Sequence, residues 1–201
     1  MAKQNPSRGG RLGLLGGSFN PVHLAHLAIA DEVRQRYSLD RVIFIPGGQP
    51  PHKDAAELAP AEDRYLMTVL AVADRPELSV SRYELDKAGP SYTVETMEHY
   101  KSECPDAQLF FIAGADSILE LDTWHEPERI FELGVLIGVV RPGYTGEQAP
   151  DVAAGVEWLD MAPLDITSTD IRRRVRNGQP IDNLVPFGVL EYITETGLYK
   201  G

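Results

Sequence analysis

Two histidines lie three residues apart just after a glycine pair, in GGSFNPVHLAH, which runs from Gly16 to His26. The apolar run that ends in the glycines predicts a buried strand, and the residues after it predict a helix, so His23 and His26 share one face of a helix start. A helix N-terminus has unpaired N–H groups and attracts phosphate, and Gly16 and Gly17 would let backbone approach a ligand closely. The corner therefore predicts an anion site to which both histidines donate.

Two other interpretations of this corner stay open. An H-x-x-H pair can bind a metal, although no acidic or cysteine partner follows at a suggestive spacing, and the pair is also compatible with histidines that have no chemical role. The corner is neither the G-x-G-x-x-G fingerprint of dinucleotide folds nor a P-loop, because Gly-Lys-Ser/Thr is absent.

A second cationic segment, IPGGQPPHK, runs from Ile45 to Lys53 after another apolar run. Its prolines stiffen the backbone, so His52 and Lys53 would present positive charge from a semi-rigid loop. A lysine serves as a point charge for phosphate. The segment is equally compatible with a solvated basic loop.

A third segment, ITSTDIRRR, spans Ile166 to Arg174. Ser168 and Thr169 would place hydroxyls at a helix N-terminus, with Arg172 one helical turn further on. Hydroxyls, free N–H groups and a guanidinium together form an anion cradle. Taken alone, the segment also fits an ordinary capped helix with a basic face.

Composition limits the class of protein. The chain has 201 residues, 43% hydrophobic and 24% charged, as in a globular protein. Its net charge of −11 argues against nucleic acid as a partner, and no apolar run is long enough to predict a membrane span. Cys104 is the one cysteine, which suits a reducing cytoplasm. We expect a disordered tail at residues 1–10 and a single domain over 11–201; assembly into a homo-oligomer stays open.

Strand-like and helix-like segments alternate, which predicts an α/β fold: a Rossmann-like, doubly wound, mostly parallel sheet with helices on both faces and a C-terminal helical segment. The predicted strands are Leu12–Gly17, Arg41–Pro46, Leu78–Leu85, Gln108–Gly114, Val135–Val140 and, more weakly, Val156–Met161. The predicted helices are Val22–Tyr37, Glu62–Asp74, Thr93–Ser102, one that begins near Thr167 and ends at Gly178, and one from Pro186 to Gly197. Ser91 or Thr93 is the predicted cap of the third helix, and Thr167 and Asp170 stand at capping-box spacing at the start of the fourth. We expect a long surface loop over Arg141–Gly155.

Five motifs in order resemble those of the bacterial nicotinate-nucleotide adenylyltransferases, within the nucleotidyltransferase superfamily that has an H-x-x-H corner. They are GGSFNPVHLAH, IPGGQPPHK, SYTVET, FIAGADSILELDTW and ITSTDIR, and they cover the chain from about Leu12 to Tyr199. The resemblance implies that ATP and nicotinate mononucleotide react to give nicotinate adenine dinucleotide and pyrophosphate. It also implies Mg²⁺, carried mainly by the ATP phosphates and water, with no protein metal site.

The resemblance implies a role for each matched residue. His23, His26 and Arg172 would act at the reacting phosphates. ATP would be bound by Gly16, Gly17, Ser18, Phe19, Gly114, Asp116, Ser168 and Thr169. The mononucleotide would be bound by His52 and Lys53 at its phosphate, by Thr93 at the nicotinate carboxylate and by Trp124 stacked on the pyridine ring.

Several alternatives remain at the level of sequence. Trp124 is compatible with buried packing, and Asp116 and Thr93 with simple helix caps. Asn20 stands where many relatives have Asp, and relatives that prefer nicotinamide mononucleotide share this corner, so the choice of base rests on SYT and Trp124, which favour nicotinate. Other candidates are a phosphopantetheine adenylyltransferase, a non-catalytic nucleotide-binding regulator and a metal-dependent hydrolase.

Overall fold

The apolar runs form one six-stranded sheet. The computed structural model describes residues 10–48, 58–140, 149–162 and 164–200. Within these ranges the strands are β1 (Arg11–Gly17), β2 (Arg41–Pro46), β3 (Leu78–Val80), β4 (Gln108–Gly114), β5 (Gly134–Val140) and β6 (Glu157–Asp160). The helices are α1 (Leu24–Arg36), α2 (Ala61–Val72), α3 (Tyr83–Asp86), α4 (Thr93–Glu103), α5 (Ala115–Ile118), α6 (Pro127–Leu133), α7 (Ser168–Arg176) and α8 (Phe187–Thr196).

The strands are all parallel, in the order β3-β2-β1-β4-β5-β6. The chain builds outward from β1 to β3, then crosses back and adds β4 on the other side of β1. Strand order therefore reverses between β1 and β4, which end at Gly17 and Gly114. Open parallel sheets bind ligands at the carboxyl edge beside such a reversal. The predicted doubly wound fold is confirmed.

Each face of the sheet has its own apolar core, because successive residues of a strand point to opposite faces. Leu15 and Phe110 belong to one core, which contains residues of α1, α2, α7 and α8. Leu14 and Phe111 belong to the other, which contains residues of α4 and α6. The predictions of helices on both faces and of a C-terminal helical segment are confirmed.

Two local predictions are wrong. The strand expected over Leu78–Leu85 ends at Val80, since the hydroxyl of Ser81 accepts the N–H of Tyr83 and starts α3. Helix α4 is not capped by Ser91 or Thr93: its N-cap is Tyr92, which makes no side-chain capping hydrogen bond. Other boundaries agree closely, and β2 and β4 have the predicted bounds.

Several expectations fall partly outside the described residues. Residues 1–9 of the expected tail and residues 141–148 of the expected loop lie outside the described residues. Within the remainder of that loop, Asp151–Gly155 form a 3-10 turn. The single domain over 11–201 stays a prediction. In the ranges that the structure describes, no helix has both the length and the apolar character that a membrane crossing requires.

Candidate active site

A cavity of about 900 Å³ opens at the carboxyl edge of the sheet, beside the reversal of strand order. It is bordered by the ends of β1, β4 and β5, the start of α1 and the start of α7. Ten residues predicted from the sequence line it: Gly16, Gly17, Ser18, His23, His26, Gly114, Asp116, Ser168, Thr169 and Arg172. Residues separated by more than 150 positions thus meet at one site, as predicted.

The two histidines form a stacked pair at the start of α1. Their ring centroids are 3.7 Å apart with 23° between the ring planes. His23 is the buried N-cap residue, and its backbone N–H donates to Nδ1 of His26 over 3.2 Å. Because Nδ1 accepts, His26 carries its proton on Nε2. His26 also borders the cavity, so one residue both caps α1 and lies at the site.

Helix α7 is fastened to the same corner by two side chains. Arg172 Nη1 donates to the carbonyl of Asn20 over 3.0 Å, and Ser168 Oγ donates to the carbonyl of Pro21 over 2.9 Å. Arg172 thus has one end of its guanidinium fixed while it borders the cavity. The proton of Ser168 serves this attachment, so the structure assigns that hydroxyl a role in joining α7 to the corner and leaves its predicted contact with ATP a prediction.

The first glycine pair has a packing reason in addition to the predicted one. A Cβ on Gly16 would lie 2.7 Å from the ring of Phe111, and one on Gly17 would lie 3.0 Å from the ring of Phe19. A side chain at Gly16 would displace the ring of Phe111, while the close approach of a ligand at either glycine stays a prediction. At Gly114 a Cβ would meet no atom within 4 Å, so this glycine faces open space in the cavity.

Phe19 does not line the cavity, contrary to the sequence-based expectation. Its side chain is 1% exposed, and its ring contacts His26 edge-on with centroids 5.0 Å apart and Phe44 with centroids 5.4 Å apart. The side chain is a support beneath His26 because an apolar ring at this position is drawn into the core.

The residues predicted to bind the mononucleotide lie beside the cavity or outside the described ranges. His52 and Lys53 are not described. Trp124 is partly buried and contacts Phe111, the ring beneath Gly16, edge-on at 6.3 Å. Thr93 is the first residue of α4, and its neighbour Tyr92 contacts His125, next to Trp124, at 4.8 Å. Thr93 and Trp124 are thus brought toward one another, although neither lines the cavity itself.

Asp116 lies in the first turn of α5 and borders the cavity. The alternative in which it caps this helix is wrong, since the N-cap is Gly114.

Sequence reasoning missed the apolar wall of the cavity and the supports of its corner. Met161, Leu164 and Ile166, between β6 and α7, also line the cavity and add apolar surface to its wall. Thr167 caps α7 by accepting the N–H of Asp170 over 3.1 Å, as its spacing predicted, and also borders the cavity. No sequence signal distinguished these wall residues from ordinary loop residues.

A cavity lined by both hydrogen-bonding groups and apolar side chains suits a nucleotide, which has charged phosphates and a flat base. The arrangement provides donors and a cation, a combination that suits the positioning and charge stabilisation of phosphates.

Known proteins with similar sequences agree with this chemistry. The cytidylyltransferase-like family model matches residues 14–174. A probable nicotinate-nucleotide adenylyltransferase of Saccharopolyspora erythraea is 46% identical over 97% of this chain and 92% of its own length. One of Thermus thermophilus is 47% identical over 94% of this chain and 100% of its own.

The fold also has solved counterparts. The Plasmodium falciparum nicotinic acid mononucleotide adenylyltransferase complexed with NaAD superimposes with a TM-score of 0.77 at 16% identity, over 94% of this chain and 97% of that one. At this identity the likeness supports the fold, while the sequence relatives define the family. The chain therefore belongs to the nicotinate-nucleotide adenylyltransferases, enzymes of the cytidylyltransferase-like nucleotidyltransferase family.

Proposed function

We propose that this chain transfers the adenylyl group of ATP to nicotinate mononucleotide, giving nicotinate adenine dinucleotide and pyrophosphate, a step of NAD biosynthesis. The observation that carries the proposal is the meeting of His23, His26 and Arg172 at one cavity beside the reversal of strand order. Membership of the family supports the reaction and the acceptor.

The reaction needs two phosphates held in line. A phosphate oxygen of the mononucleotide attacks the α-phosphorus of ATP, a new P–O bond forms, and the bond to the bridging oxygen of the β-phosphate breaks. Charge builds up on the α-phosphate and on the departing pyrophosphate. The Nε2–H of His26 and the guanidinium of Arg172 border the space where that charge develops, and fixed donors of this kind stabilise it.

The apolar wall formed by Met161, Leu164 and Ile166 suits the adenine base, and Gly114 and Asp116 are proposed to meet the ribose or its neighbours. Since strands β1 and β4 separate this wall from α4, the acceptor is proposed to bind on the side of Phe111. Trp124 would stack on its pyridine ring and Thr93 would donate to its carboxylate. His52 and Lys53 would hold its phosphate.

Mg²⁺ is proposed to enter with ATP. The part of the chain that the structure describes has no group of three histidine, cysteine or acidic side chains placed to hold a metal ion, and two carboxylates, Asp116 and Asp165, border the cavity. Mg²⁺ commonly uses one or two carboxylates together with substrate phosphates and water, so Asp165 would serve as the protein carboxylate while Asp116 meets the ribose. When bound, the ion would offset phosphate charge.

The location and assembly stay proposals. A reducing cytoplasm suits the single cysteine and the nucleotide substrates, and small molecules rather than nucleic acid or membrane are proposed as the binding partners. A homo-oligomer remains an expectation open to test by light scattering.

Pyrophosphate release tests the function. We expect release when ATP is mixed with nicotinate mononucleotide, slower release with nicotinamide mononucleotide, and none with ATP alone. Pyrophosphate release from ATP alone would indicate a hydrolase, and faster turnover of nicotinamide mononucleotide would reverse the assigned base. ATP binding with no pyrophosphate release in the presence of either mononucleotide would indicate a non-catalytic regulator.

A further inference from the structure

The segment between β1 and α1 is held by side chains from several distant parts of the chain. Its carbonyls accept from Arg172 and Ser168 of α7, as described above. Asn20 is therefore the residue whose backbone orients the guanidinium of Arg172. Whatever fixes Asn20 also fixes the position of that cation at the cavity.

The side chain of Asn20 is itself held from two directions. The residue is 2% exposed, and its Oδ1 accepts the N–H of Ala59 over 3.0 Å and the hydroxyl of Tyr199 over 2.9 Å. A buried carbonyl oxygen with two donors is locked in place, since rotating it away would leave buried polar groups without their hydrogen bonds.

Arg64 supplies a second support from α2. It is 1% exposed, and it donates to the carbonyls of Ser18 over 2.9 Å, Ala59 over 3.1 Å and Gly48 over 3.4 Å. One rigid guanidinium thus joins the corner to the ends of β2 and of the segment before α2. Burial lowers the pKa of Arg64, which reflects the cost of placing a cation there.

Tyr199 comes from the end of the described chain, beyond α8. Its backbone φ is +66°, a left-handed value that is uncommon for a residue with a Cβ. Strain of this kind persists where surrounding contacts impose it. Burial raises the pKa of Tyr199 although Arg172 and Arg64 oppose the shift, so the phenol keeps its proton and donates it to Asn20.

We propose that Asn20, Arg64 and Tyr199 form a positioning network that sets the guanidinium of Arg172 at the reacting phosphates. Asn20 borders the cavity, whereas Arg64 and Tyr199 lie behind it: Tyr199 and Arg64 fix Asn20 and its neighbours, and the carbonyl of Asn20 fixes Arg172. The inference rests on the proposed function and adds to it the residues that determine the position of the Arg172 guanidinium.

Tyr199→Phe tests the network, with Tyr192→Phe as the matched control. Both variants remove one phenol hydroxyl from the C-terminal region, and the hydroxyl of Tyr192 donates to Asp63 over 2.7 Å, a contact that joins α8 to α2 and does not involve the amide of Asn20. Melting temperatures of both are measured first, and steady-state pyrophosphate release is then compared well below the lower melting temperature, with each substrate varied in turn.

We expect Tyr199→Phe to lower kcat by about tenfold, because small misplacements of catalytic groups are costly, while the KM for ATP stays within about twofold. Tyr192→Phe should keep the wild-type kcat. A double-mutant cycle with Arg172→Lys adds a readout that a purely structural role would not move: the loss caused by Tyr199→Phe should shrink to about twofold or less in the Arg172→Lys background.

Equal kcat values for Tyr199→Phe and Tyr192→Phe, or independent losses in the cycle, would overturn the network. The result is separable from the fate of the proposed function. Wild-type protein that releases no pyrophosphate from ATP and nicotinate mononucleotide contradicts the function, whereas active wild type with an unaffected Tyr199→Phe variant contradicts only this inference.

Discussion

Substitutions of His26 test separately the two ring nitrogens, to which we assign different roles. Nδ1 accepts the backbone N–H of His23 at the start of α1, and His26 borders the cavity; we propose that its Nε2–H donates to the phosphates. His26→Ala removes both together with the edge-on contact to Phe19. The variant should therefore lose stability and turnover by separate amounts.

The two losses differ in size. Removing a helix-capping partner costs about 1 kcal/mol of folding free energy. Removing a donor to charge that develops in the transition state costs about 10²–10³ in kcat, or about 2.7–4 kcal/mol. Catalysis should therefore fall much further than stability, and the variant should remain folded at the assay temperature.

Substitution of His26 by Asn or by Gln distinguishes the capping role of Nδ1 from the catalytic role proposed for Nε2. The amide of Asn reaches the position of Nδ1, so His26→Asn should recover the melting temperature lost by His26→Ala while kcat stays low. The amide nitrogen of Gln reaches the position of Nε2, so His26→Gln should recover part of kcat. His99→Ala is the control, since His99 stacks on Tyr83 and does not border the cavity.

The measurements are thermal unfolding and single-turnover formation of the dinucleotide with both substrates saturating. An unchanged kcat in folded His26→Ala would refute the catalytic assignment. Better activity in His26→Asn than in His26→Gln would refute the assignment of the Nε2 proton to the phosphates.

Three further predictions concern the cavity, the acceptor side and a buried acid. Gly114→Ala should keep the melting temperature, because the new Cβ meets no protein atom, and should raise the KM for ATP about tenfold. Gly16→Ala should instead lower the melting temperature, because its Cβ would lie 2.7 Å from the ring of Phe111. Unchanged ATP kinetics in Gly114→Ala would show that Gly114 does not belong to the ATP site. Trp124→Ala should weaken mononucleotide binding by about tenfold or more, as expected for loss of a stacked ring, and leave ATP binding nearly intact in calorimetric titrations; equal losses would contradict stacking. Burial raises the pKa of Glu84, so the native state holds this proton to higher pH than the unfolded state and loses stability as pH rises through the native pKa. The melting temperature of Glu84→Gln relative to wild type should therefore increase as the pH is raised above the ordinary range of a carboxyl pKa, and a constant difference would contradict the shift.

Prediction from sequence succeeded where a short stretch of residues was sufficient to specify a strand or a helix start. Continuous apolar runs such as Gln108–Gly114 identified buried parallel strands, and the spacing from Thr167 to Asp170 identified the start of α7. It failed at Leu78–Leu85, where the apolar pattern continued but Ser81 ended the strand by accepting a backbone N–H. It also failed at Phe19, which stands inside a ligand-like motif but packs in the core.

The candidate site shows the same division. Residue type and a place at a strand end or helix start indicated ten of the residues that line the cavity. Motifs did not indicate Met161 or Leu164, which form its apolar wall, because their position depends on how β6 lies beside β5. Arg64 and Tyr199 carried no motif signal, since their partners are backbone carbonyls and an amide oxygen reached only across the fold.

The amino-acid sequence by itself determined the parallel α/β architecture and the family, because these depend on apolar periodicity and on motifs within a few residues. Only the tertiary structure decided that Arg172 donates to the carbonyl of Asn20, that Gly16 lies against the ring of Phe111, and that Nδ1 of His26 accepts the backbone N–H of His23. Such facts depend on contacts of a few ångströms between segments that are distant along the chain, and local sequence patterns do not encode those distances.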